Sequence, residues 1–300
     1  MADRRLQVFH AVAKHLSFTR AADALFMSQP AVTFQVKQLE EEHNTRLFER
    51  RHGAISLTPA GELLLSYAEK ILLLSDEMET RLGEMSGEMR GQLFIGASMS
   101  TAESLMPPVL AEFNALHPLV RVRLSVANSE TLENRVAGHQ LELALIDAGN
   151  AVAGVVYEAC AEEELQVVCA PDYPLAGQKK LTPAAMPEYE YLSREPGSGT
   201  RRAIESYLQA NKIAPDSLKM QMELGSPAAL KALAATGLGF AIVGRAGLAR
   251  EIKLQELIAL PLKPALKRKI HMIYPQGRFR SRMASTFIEF AKRKLRESAA

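Results

Sequence analysis

Residues 17–42 read SFTRAADALFMSQPAVTFQVKQLEEE, and they carry the clearest structural pattern of the N-terminal part. It predicts two helices separated by a tight break. Thr19 can accept a hydrogen bond from a first-turn amide and so cap a helix over 20–26. Ser28 can cap the next helix, over about 29–42, whose first turn tolerates Pro30. A short helix, a tight turn and a second helix make a helix-turn-helix.

The helix over 29–42 has an apolar face and a polar face. Val32, Val36 and Leu39 follow the i, i+4, i+7 spacing and should face inward. The polar face would enter the major groove, where glutamine suits adenine edges, threonine reaches a base or phosphate, and an apolar group touches a thymine methyl. The residues predicted to contact DNA from this helix are Gln29, Pro30, Thr33, Phe34 and Lys37. A generic helical bundle with a solvated face is the alternative.

The flanking segments extend this motif. Upstream, an apolar stripe at helical spacing predicts a first helix; its members are Leu6, Phe9, Val12, Ala13 and Leu16. Downstream, 47–51 and 54–57 predict two short strands joined by a turn that contains Gly53. Such a hairpin wing would lay Arg50 and Arg51 along the phosphate backbone, a contact that adds salt-dependent affinity but no sequence choice.

A long helix is predicted next, with Thr58 as its cap and Pro59 in its first turn. Its side chains alternate spacings of four and three with one polar interruption, which is the pattern of a heptad seam. The seam comprises Leu64, Ala68, Ile71, Ser75, Met78, Leu82 and Met85. About 28 helical residues would span about 42 Å. A seam this long needs a partner, either the same helix in a second subunit or the C-terminal part of its own chain. Gly87 and Gly91 predict a hinge.

From residue 92 onward, short β-branched runs alternate with helical segments, which predicts a parallel sheet with helices on both faces. The predicted strands are 93–96, 120–126, 141–146, 165–168, 240–243 and 271–274, and the predicted helices are 102–116, 131–138, 199–211, 228–237 and 281–295. A second α/β unit would begin near residue 165. The last strand and helix would return to the first unit.

Three polar clusters fall near predicted strand ends or helix starts. They are Ser98, Ser100 and Thr101, then Asn128-Ser129, then the run REPGSGTR over 194–201. In sheets of this kind, ligands lie beyond the carboxyl ends of the strands, where helix N-termini point their free amides. Small hydroxyls, these amides and the helix dipole favour an anion, and Arg194 or Arg201 could add a charge-assisted bond. We therefore predict an anion or carboxylate site, with a plain capped loop as the alternative for Gly-Ser-Gly-Thr.

Length, composition and charge limit the class of protein. The 300 residues suffice for two or three domain cores. No apolar run approaches the roughly 18–20 residues of a membrane span, and the N-terminus has no apolar signal-peptide core. Two cysteines cannot form a disulfide framework, which favours a reducing cytoplasm. The net charge is +2, but residues 263–300 hold eleven Lys and Arg against two Asp and Glu. This basic segment either attracts phosphate or offsets an acidic neighbour in the fold.

Five blocks in the first 61 residues resemble the DNA-binding domain of LysR-type transcriptional regulators. The blocks are SFTRAA (17–22), SQPAVT (28–33), KQLE (37–40), LFER (47–50) and LTPAG (57–61). Where the family has Leu-Gly, this sequence has His43-Asn44. Asparagine also tolerates the left-handed conformation that the end of a helix often needs.

The resemblance implies a fold and a function for the whole chain. The fold is α/β with an all-α N-terminal part: a winged helix-turn-helix over 1–58, a linker and dimerisation helix with a hinge over 59–90, and an effector-binding domain over 91–300. This last domain consists of two Rossmann-like α/β subdomains of periplasmic-binding-protein type, about 91–163 with 268–300 and about 164–267. The family also implies a cytoplasmic homodimer or homotetramer that binds promoter DNA, contacts RNA polymerase and responds to a small-molecule effector.

Within the family, residues 194–201 and 222–226 resemble the regulators of sulfur assimilation and of Calvin-cycle operons. Those proteins sense small oxyanions or phosphorylated metabolites, so the resemblance implies a small anionic effector and adds Ser226 to its site. The residues predicted to bind the effector are Ser98, Ser100, Thr101, Ser129, Arg194, Ser198, Thr200, Arg201 and Ser226.

Three other functions fit the sequence less well. An enzyme is disfavoured because the sequence has no Gly-x-Ser-x-Gly elbow, phosphate-binding loop or zinc-type spacing, so no catalytic residue, metal or cofactor is expected. His271 is then expected to be a satisfied core histidine. A solute-binding protein would need an export signal and would not need residues 1–90. A redox sensor through Cys160 and Cys169 is the remaining alternative, although glutamates flank Cys160 and an apolar run surrounds Cys169, which disfavours the thiolate.

Overall fold

The computed structural model describes residues 4–51, 54–85, 89–147, 149–277 and 280–299. Its internal contacts divide the chain into an N-terminal unit, Met1–Glu88, and a C-terminal unit, Met89–Ala300. Within the described ranges, no helix combines the length and the apolar character needed to cross a membrane.

The N-terminal unit is built from helices and one hairpin. Its elements are α1 (Arg4–His15), α2 (Phe18–Leu25), α3 (Gln29–Glu42), β1 (Phe48–Arg51), β2 (Ala54–Leu57) and α4 (Pro59–Met85). The bounds of α3 are those predicted, and Val32, Val36 and Leu39 are buried on its inner side as expected. They pack with Phe9 of α1 and Phe48 of β1 in a single core.

Two details of this unit differ from the sequence prediction. Ser17, not Thr19, caps α2, because its Oγ accepts a hydrogen bond from the amide of Arg20 at 3.3 Å. Leu16, the last residue of the apolar stripe predicted for the first helix, is half exposed, because the chain leaves the helical path there with a φ of 45°. The left-handed conformation expected at Asn44 is confirmed, with a φ of 46°.

The long helix α4 begins as predicted. The hydroxyl of Thr58 accepts from the amide of Gly61 at 3.0 Å, and Pro59 is the first helical residue of 27. Ala68, the second position of the predicted seam, is fully buried in the core of the N-terminal unit, and Leu64 is partly buried against the same core. The prediction that the whole seam faces a partner is therefore wrong at Ala68. Gly87, in the predicted hinge, lies outside the described residues.

The C-terminal unit alternates strands and helices. Its elements are β3 (Gly91–Ser98), α5 (Met99–Ser104), α6 (Met106–Leu116), β4 (Val120–Ala127), α7 (Ser129–Ala137), β5 (Leu143–Asp147), β6 (Val155–Cys169), β7 (Glu190–Arg194), α8 (Gly199–Ala210), β8 (Lys219–Leu224), α9 (Pro227–Ala235), β9 (Ala241–Gly244), α10 (Ala249–Lys253), β10 (Ile258–Pro275) and α11 (Arg282–Ala299), with short 3₁₀ turns at Pro183–Glu188, Pro215–Ser217 and Arg245–Gly247.

Two long strands join two halves of this unit. The main sheet has the order β4-β3-β5-β10-β6-β9, and β7 pairs with β8 in a small parallel sheet. One core, subdomain I, gathers around Phe113 and Phe287, and a second, subdomain II, gathers around Tyr207 and Phe240. Both β6 and β10 contribute to both cores, so these strands are the connection between the subdomains. The α/β fold with an all-α N-terminal part agrees with the prediction.

The sheet and one helix differ from the sequence prediction. The parallel sheet is mixed, because β10 runs antiparallel to both β5 and β6. The helix expected over 102–116 is interrupted at Leu105, because Pro107 and Pro108 cannot donate backbone hydrogen bonds to a preceding helical turn. Both prolines instead lie near the start of the new helix α6.

The basic C-terminal segment offsets an acidic neighbour. In the antiparallel pairing of β10 with β6, Lys267, Arg268 and Lys269 lie opposite Glu164, Glu163 and Glu162. Lys267 also forms an ion pair with Glu162 at 2.9 Å, and Arg268 forms one with Glu163 at 2.6 Å. Three of the segment's eleven cations thus face glutamates within the sheet.

Candidate functional site

The outer face of α3 presents the residues predicted to contact DNA. Gln29, Pro30, Phe34 and Lys37 are exposed, and Thr33 is half buried. The side-chain amide of Gln29 donates to Oγ1 of Thr33 at 2.8 Å, which holds the two polar groups together. The buried face described above fixes the rotation of α3, so this polar and aromatic surface is directed outward.

The hairpin after α3 has the predicted wing geometry. β1 pairs antiparallel with β2, with Arg50 opposite Ile55. Glu40 of α3 anchors the start of the hairpin, because its Oε1 accepts from the amides of Leu47 at 2.8 Å and Phe48 at 3.3 Å. The predicted turn at residues 52–53 and the side chains of Arg50 and Arg51 lie outside the described part of the structure.

An apolar stripe is exposed along α4. Its described members are Leu63, Tyr67, Ile71, Leu74, Met78 and Leu82. At 3.6 residues per turn they fall within an arc of about 100°. The stripe includes three of the predicted seam positions and adds Leu63, Tyr67 and Leu74. Six exposed apolar side chains on one side of a helix are typical of a helix that packs against another.

In the C-terminal unit, the predicted polar clusters meet around one carboxylate. Asp147, the last residue of β5, is buried, and hydroxyls from both subdomains donate to it. Thr101 donates to Oδ1 at 2.7 Å and Thr200 donates to Oδ2 at 3.2 Å. Ser98 and Ser100 donate to Oδ1 and Oδ2 as well.

A buried guanidinium completes this arrangement. Nη1 of Arg268 donates to Oδ2 of Asp147 at 2.8 Å, while Nη2 and Nε donate to Oε2 of Glu163 at 2.6 and 3.0 Å. We call the hydroxyls of Ser98, Ser100, Thr101 and Thr200, together with the guanidinium of Arg268, the anion cradle. Burial by itself would raise the pKa of Asp147, but Arg268 and the hydroxyl donors more than offset burial and hold that pKa below its ordinary value.

The helix α8 closes onto the cradle from subdomain II. Its first residue, Gly199, lies so close to Asp147 that a Cβ atom would be 1.7 Å from the backbone oxygen of that residue. Ser129 of α7 donates to the same oxygen at 3.0 Å. The amide of Glu130 donates to the carbonyl of Gly197 at 3.2 Å, so the starts of α7 and α8 are joined directly.

The other residues predicted to bind an effector have internal partners. Arg194 donates to Glu195 and to the backbone carbonyls of Leu224 and Gly225, at 2.8, 3.2 and 3.3 Å. Ser198 caps α8 and Ser226 caps α9, where their hydroxyls accept from amides at 3.5 and 3.3 Å.

Arg201 forms ion pairs with Glu205, at 2.8 Å, and with Glu223, and it donates to the carbonyl of Arg194. The three clusters thus converge at Ser98–Thr101, Ser129 and Thr200. The described contacts do not bring Arg194, Arg201 or Ser226 to Asp147.

The charged centre of this site was not among the residues predicted from the sequence. Strand alternation could have indicated Arg268, because Leu266, Arg268 and Ile270 share the buried face of β10. Asp147 follows the apolar run LALI at the end of a strand, where the predicted ligand positions begin. The segment was interpreted only as a basic stretch, so the inward position of Arg268 was overlooked.

A second polar cluster joins α7 and α8 beside the cradle. Glu133 is fully buried and accepts from the hydroxyl of Tyr157 at 3.1 Å and from the amide of Asn150 at 2.6 Å. Arg202 of α8 lies 3.7 Å from its other oxygen. His271 was predicted to be a satisfied core histidine, but it is only partly buried and its Nδ1 has no described hydrogen-bond partner, so that prediction is wrong.

Both cysteines lie on β6 and are buried. Burial raises the pKa of each thiol to about 11. Among the described residues, no group of three His, Cys, Asp or Glu side chains is arranged to hold a metal ion.

Two protein-family models match the chain. Residues 4–62 match the bacterial regulatory helix-turn-helix protein model of the lysR family, and residues 86–296 match the LysR substrate binding domain. A RuBisCO operon transcriptional regulator from Allochromatium vinosum is 34% identical over 288 residues, which are 96% of this chain and 94% of that protein.

Two solved structures show the same fold. Full-length CbnR, complexed with its target DNA, superimposes with a TM-score of 0.72 at 21% identity, over 98% of this chain and 100% of that one. The regulatory domain of Synechocystis PCC6803 CcmR, in complex with 2-PG, has a TM-score of 0.62 at 25% identity, over 68% of this chain and 97% of that one.

Proposed function

This chain belongs to the LysR family of bacterial transcriptional regulators, and from that membership we propose how it works: α3 and the hairpin wing bind promoter DNA, and a small anionic metabolite held at the anion cradle modulates this binding. The effector is a carboxylate or a phosphorylated metabolite.

The observation that carries the effector proposal is the anion cradle itself. Three hydroxyls of subdomain I, one hydroxyl of subdomain II and one guanidinium converge on a single carboxylate. Hydroxyls and a guanidinium that solvate the carboxylate of Asp147 have the donor chemistry to hold the carboxylate or phosphate of a metabolite. Because the donors come from both subdomains, the ligand at this site would change how tightly the subdomains close.

The relatives support the class of effector. CcmR, whose regulatory domain covers 68% of this chain, is described in complex with 2-PG, a small phosphorylated acid. The relative from Allochromatium vinosum is named a regulator of the RuBisCO operon. We therefore place the effector among small phosphorylated or carboxylated metabolites.

The DNA-binding residues we propose are those on the outer face of α3, namely Gln29, Pro30, Thr33, Phe34 and Lys37, with Arg50 and Arg51 of the wing. CbnR, which has the same fold, is described in complex with its target DNA. The exposed stripe on α4 would pair two subunits and so place two copies of α3 on successive half-sites. As a promoter-binding regulator, the protein would act in the cytoplasm as a dimer or tetramer and contact RNA polymerase.

A thermal-shift screen of the full chain tests the effector proposal. The panel contains 2-phosphoglycolate, phosphate, sulfate, sulfite, thiosulfate and common carboxylates. An effector at about 100 times its dissociation constant should stabilise the C-terminal unit by about 2.7 kcal/mol. The same compound should change the affinity of the protein for its operator in gel shifts.

Two variants locate the binding site. Thr200→Ala removes a cradle hydroxyl and should abolish the shift. Ser281→Ala removes a hydroxyl that accepts from the amide of Ala284 in α11 and donates to Glu142, and it should lower the melting temperature without weakening the ligand response. If no anion stabilises the wild-type protein or changes operator binding, the proposed class of effector is wrong.

A further inference from the structure

The anion cradle is already filled by a residue of the chain. A carboxylate accepts about four hydrogen bonds through its two oxygens. Asp147 accepts from Ser98, Ser100, Thr101, Thr200 and Arg268, so the hydrogen-bonding capacity of its side chain is saturated. A second anion cannot use these donors while Asp147 holds them.

The charges at the site lead to the same conclusion. Among the described residues, the buried carboxylates of Asp147 and Glu163 both form their ion pair with the guanidinium of Arg268. This triad carries one excess negative charge when both carboxylates are ionised. A further anion added to it would be buried next to carboxylates without a new cation, which is strongly unfavourable.

We propose that Asp147 is a built-in competitor of the effector: its carboxylate occupies the anion cradle in the absence of ligand, and the anionic group of the effector displaces it to reach the same donors. This inference rests on the proposed effector function of the cradle. It makes Asp147 the residue that sets the threshold concentration of the effector.

The partners of Arg268 distinguish this role from that of an ordinary buried ion pair. Glu163 already receives two of the guanidinium nitrogens, Nη2 and Nε, and also accepts from the amide of Ala246 at 3.2 Å. Arg268 therefore keeps a buried counter-ion when Asp147 leaves. Among the described contacts the four hydroxyls donate to Asp147, and none of them donates to Glu163. They are therefore the groups that become available to an incoming anion.

The test is isothermal titration of the full-length protein with 2-phosphoglycolate and, separately, with inorganic phosphate. The first variant, Asp147→Ala, removes the competing carboxylate. The second, Asp147→Asn, keeps the volume of the side chain and serves if the Asp147→Ala protein folds poorly. Glu163→Gln is the matched control, because it removes a carboxylate from the same arginine but leaves the hydroxyls engaged with Asp147. Circular dichroism and melting curves check the fold of each variant.

We expect Asp147→Ala to bind the anion about 10- to 100-fold more tightly than the wild type, the range expected for a hydrogen bond to a charged group. Asp147→Asn should gain in the same direction, and Glu163→Gln should not. If the wild type binds and neither Asp147 variant gains, the competitor role is wrong and the effector proposal stands. An equal gain in Glu163→Gln also overturns it, since net charge alone would then explain the effect. If neither the wild type nor the variants bind, both proposals fail.

Discussion

Arg268 and Asp147 are 121 residues apart in the chain, yet Nη1 of Arg268 donates to Oδ2 of Asp147 at 2.8 Å with both side chains buried. Arg268 lies on β10, one of the two strands that connect the subdomains, and Asp147 ends β5 of subdomain I. The pair therefore links the connecting strand β10 to the carboxyl end of β5, where the hydroxyls of the cradle meet. Stability and effector response should both depend on it.

Replacing Arg268 with methionine should destabilise the C-terminal unit by about 3–5 kcal/mol, because two carboxylates would remain buried without their cation. Urea unfolding of the full chain measures this in the transition of that unit. Lys267→Met is the control. Lys267 precedes Arg268 on β10 and forms an exposed ion pair with Glu162, and such pairs contribute little to stability. An Arg268→Met protein as stable as the wild type would contradict the role given to the guanidinium.

The loss of stability in acid should depend in part on Asp147. Its pKa in the folded protein lies below its ordinary value of 3.8. A carboxyl group of this kind contributes stability that is fully present above the unfolded pKa and is lost as the pH falls through the folded pKa. We expect the difference in unfolding free energy between the wild type and Asp147→Asn to be constant above about pH 5 and to shrink below pH 3.8. Unfolding curves from pH 7 to pH 3 measure it, and a difference that does not shrink is the contrary result.

Local signals determine most of the N-terminal unit, which is why its helices were predictable. The bounds of α3 follow from the cap at Ser28 and from the buried spacing of Val32, Val36 and Leu39. The error at Thr19 was one of position, because Ser17, two residues earlier, also has a hydroxyl that can cap a helix and takes that role. Sequence alone could not decide which of the two hydroxyls meets the free amide.

The charged centre of the C-terminal unit depends on long-range strand pairing, so the pattern of neighbouring residues did not predict it. The three hydroxyl clusters were recognised because each follows a strand or precedes a helix, a relationship visible over a few residues. The partners they meet, Asp147 and Arg268, are brought together only when β10 pairs with β5 and β6. The predicted strands 165–168 and 271–274 cover only the C-terminal ends of β6 and β10, because polar residues earlier in both strands hid their full length.

The exposed stripe on α4 should hold two subunits together. Leu82→Lys places a charge within the stripe, where Leu82 is 59% exposed. In light scattering the variant should have a lower molar mass than the wild type, because its subunits would dissociate. Glu62→Lys, at an exposed position in the first turn of α4, is the control and should leave the mass unchanged. An unchanged mass for Leu82→Lys would show that the stripe is not the subunit contact.

DNA affinity should separate base contacts from phosphate contacts. Thr33→Ala should lose about 1–3 kcal/mol of discrimination between operator and altered operator, with little change for random DNA. Arg50→Ala should weaken binding to all DNA alike and reduce the slope of log K against log salt by about one. Gel shifts at several salt concentrations measure both effects. Lys179→Ala, at an exposed lysine of the C-terminal unit, is the control and should bind DNA like the wild type. If Thr33→Ala and Arg50→Ala also bind the operator like the wild type, the docking of α3 and the wing is wrong.

Peroxide should not link Cys160 to Cys169 in the folded protein. The two cysteines are nine positions apart on the extended strand β6, which separates them by about 30 Å at about 3.3 Å per residue. A disulfide needs Cα atoms within about 7 Å. Burial raises the pKa of both thiols to about 11, so only about one thiol in 10⁴ is ionised at pH 7.

Mass spectrometry after treatment with a small excess of hydrogen peroxide should therefore find both thiols free and operator affinity unchanged. Iodoacetamide labelling of the same sample in denaturant is the control, since both thiols should then react. A 160–169 disulfide formed under native conditions would require the strand to unfold, and would favour the redox-sensing alternative over an effector held at the anion cradle.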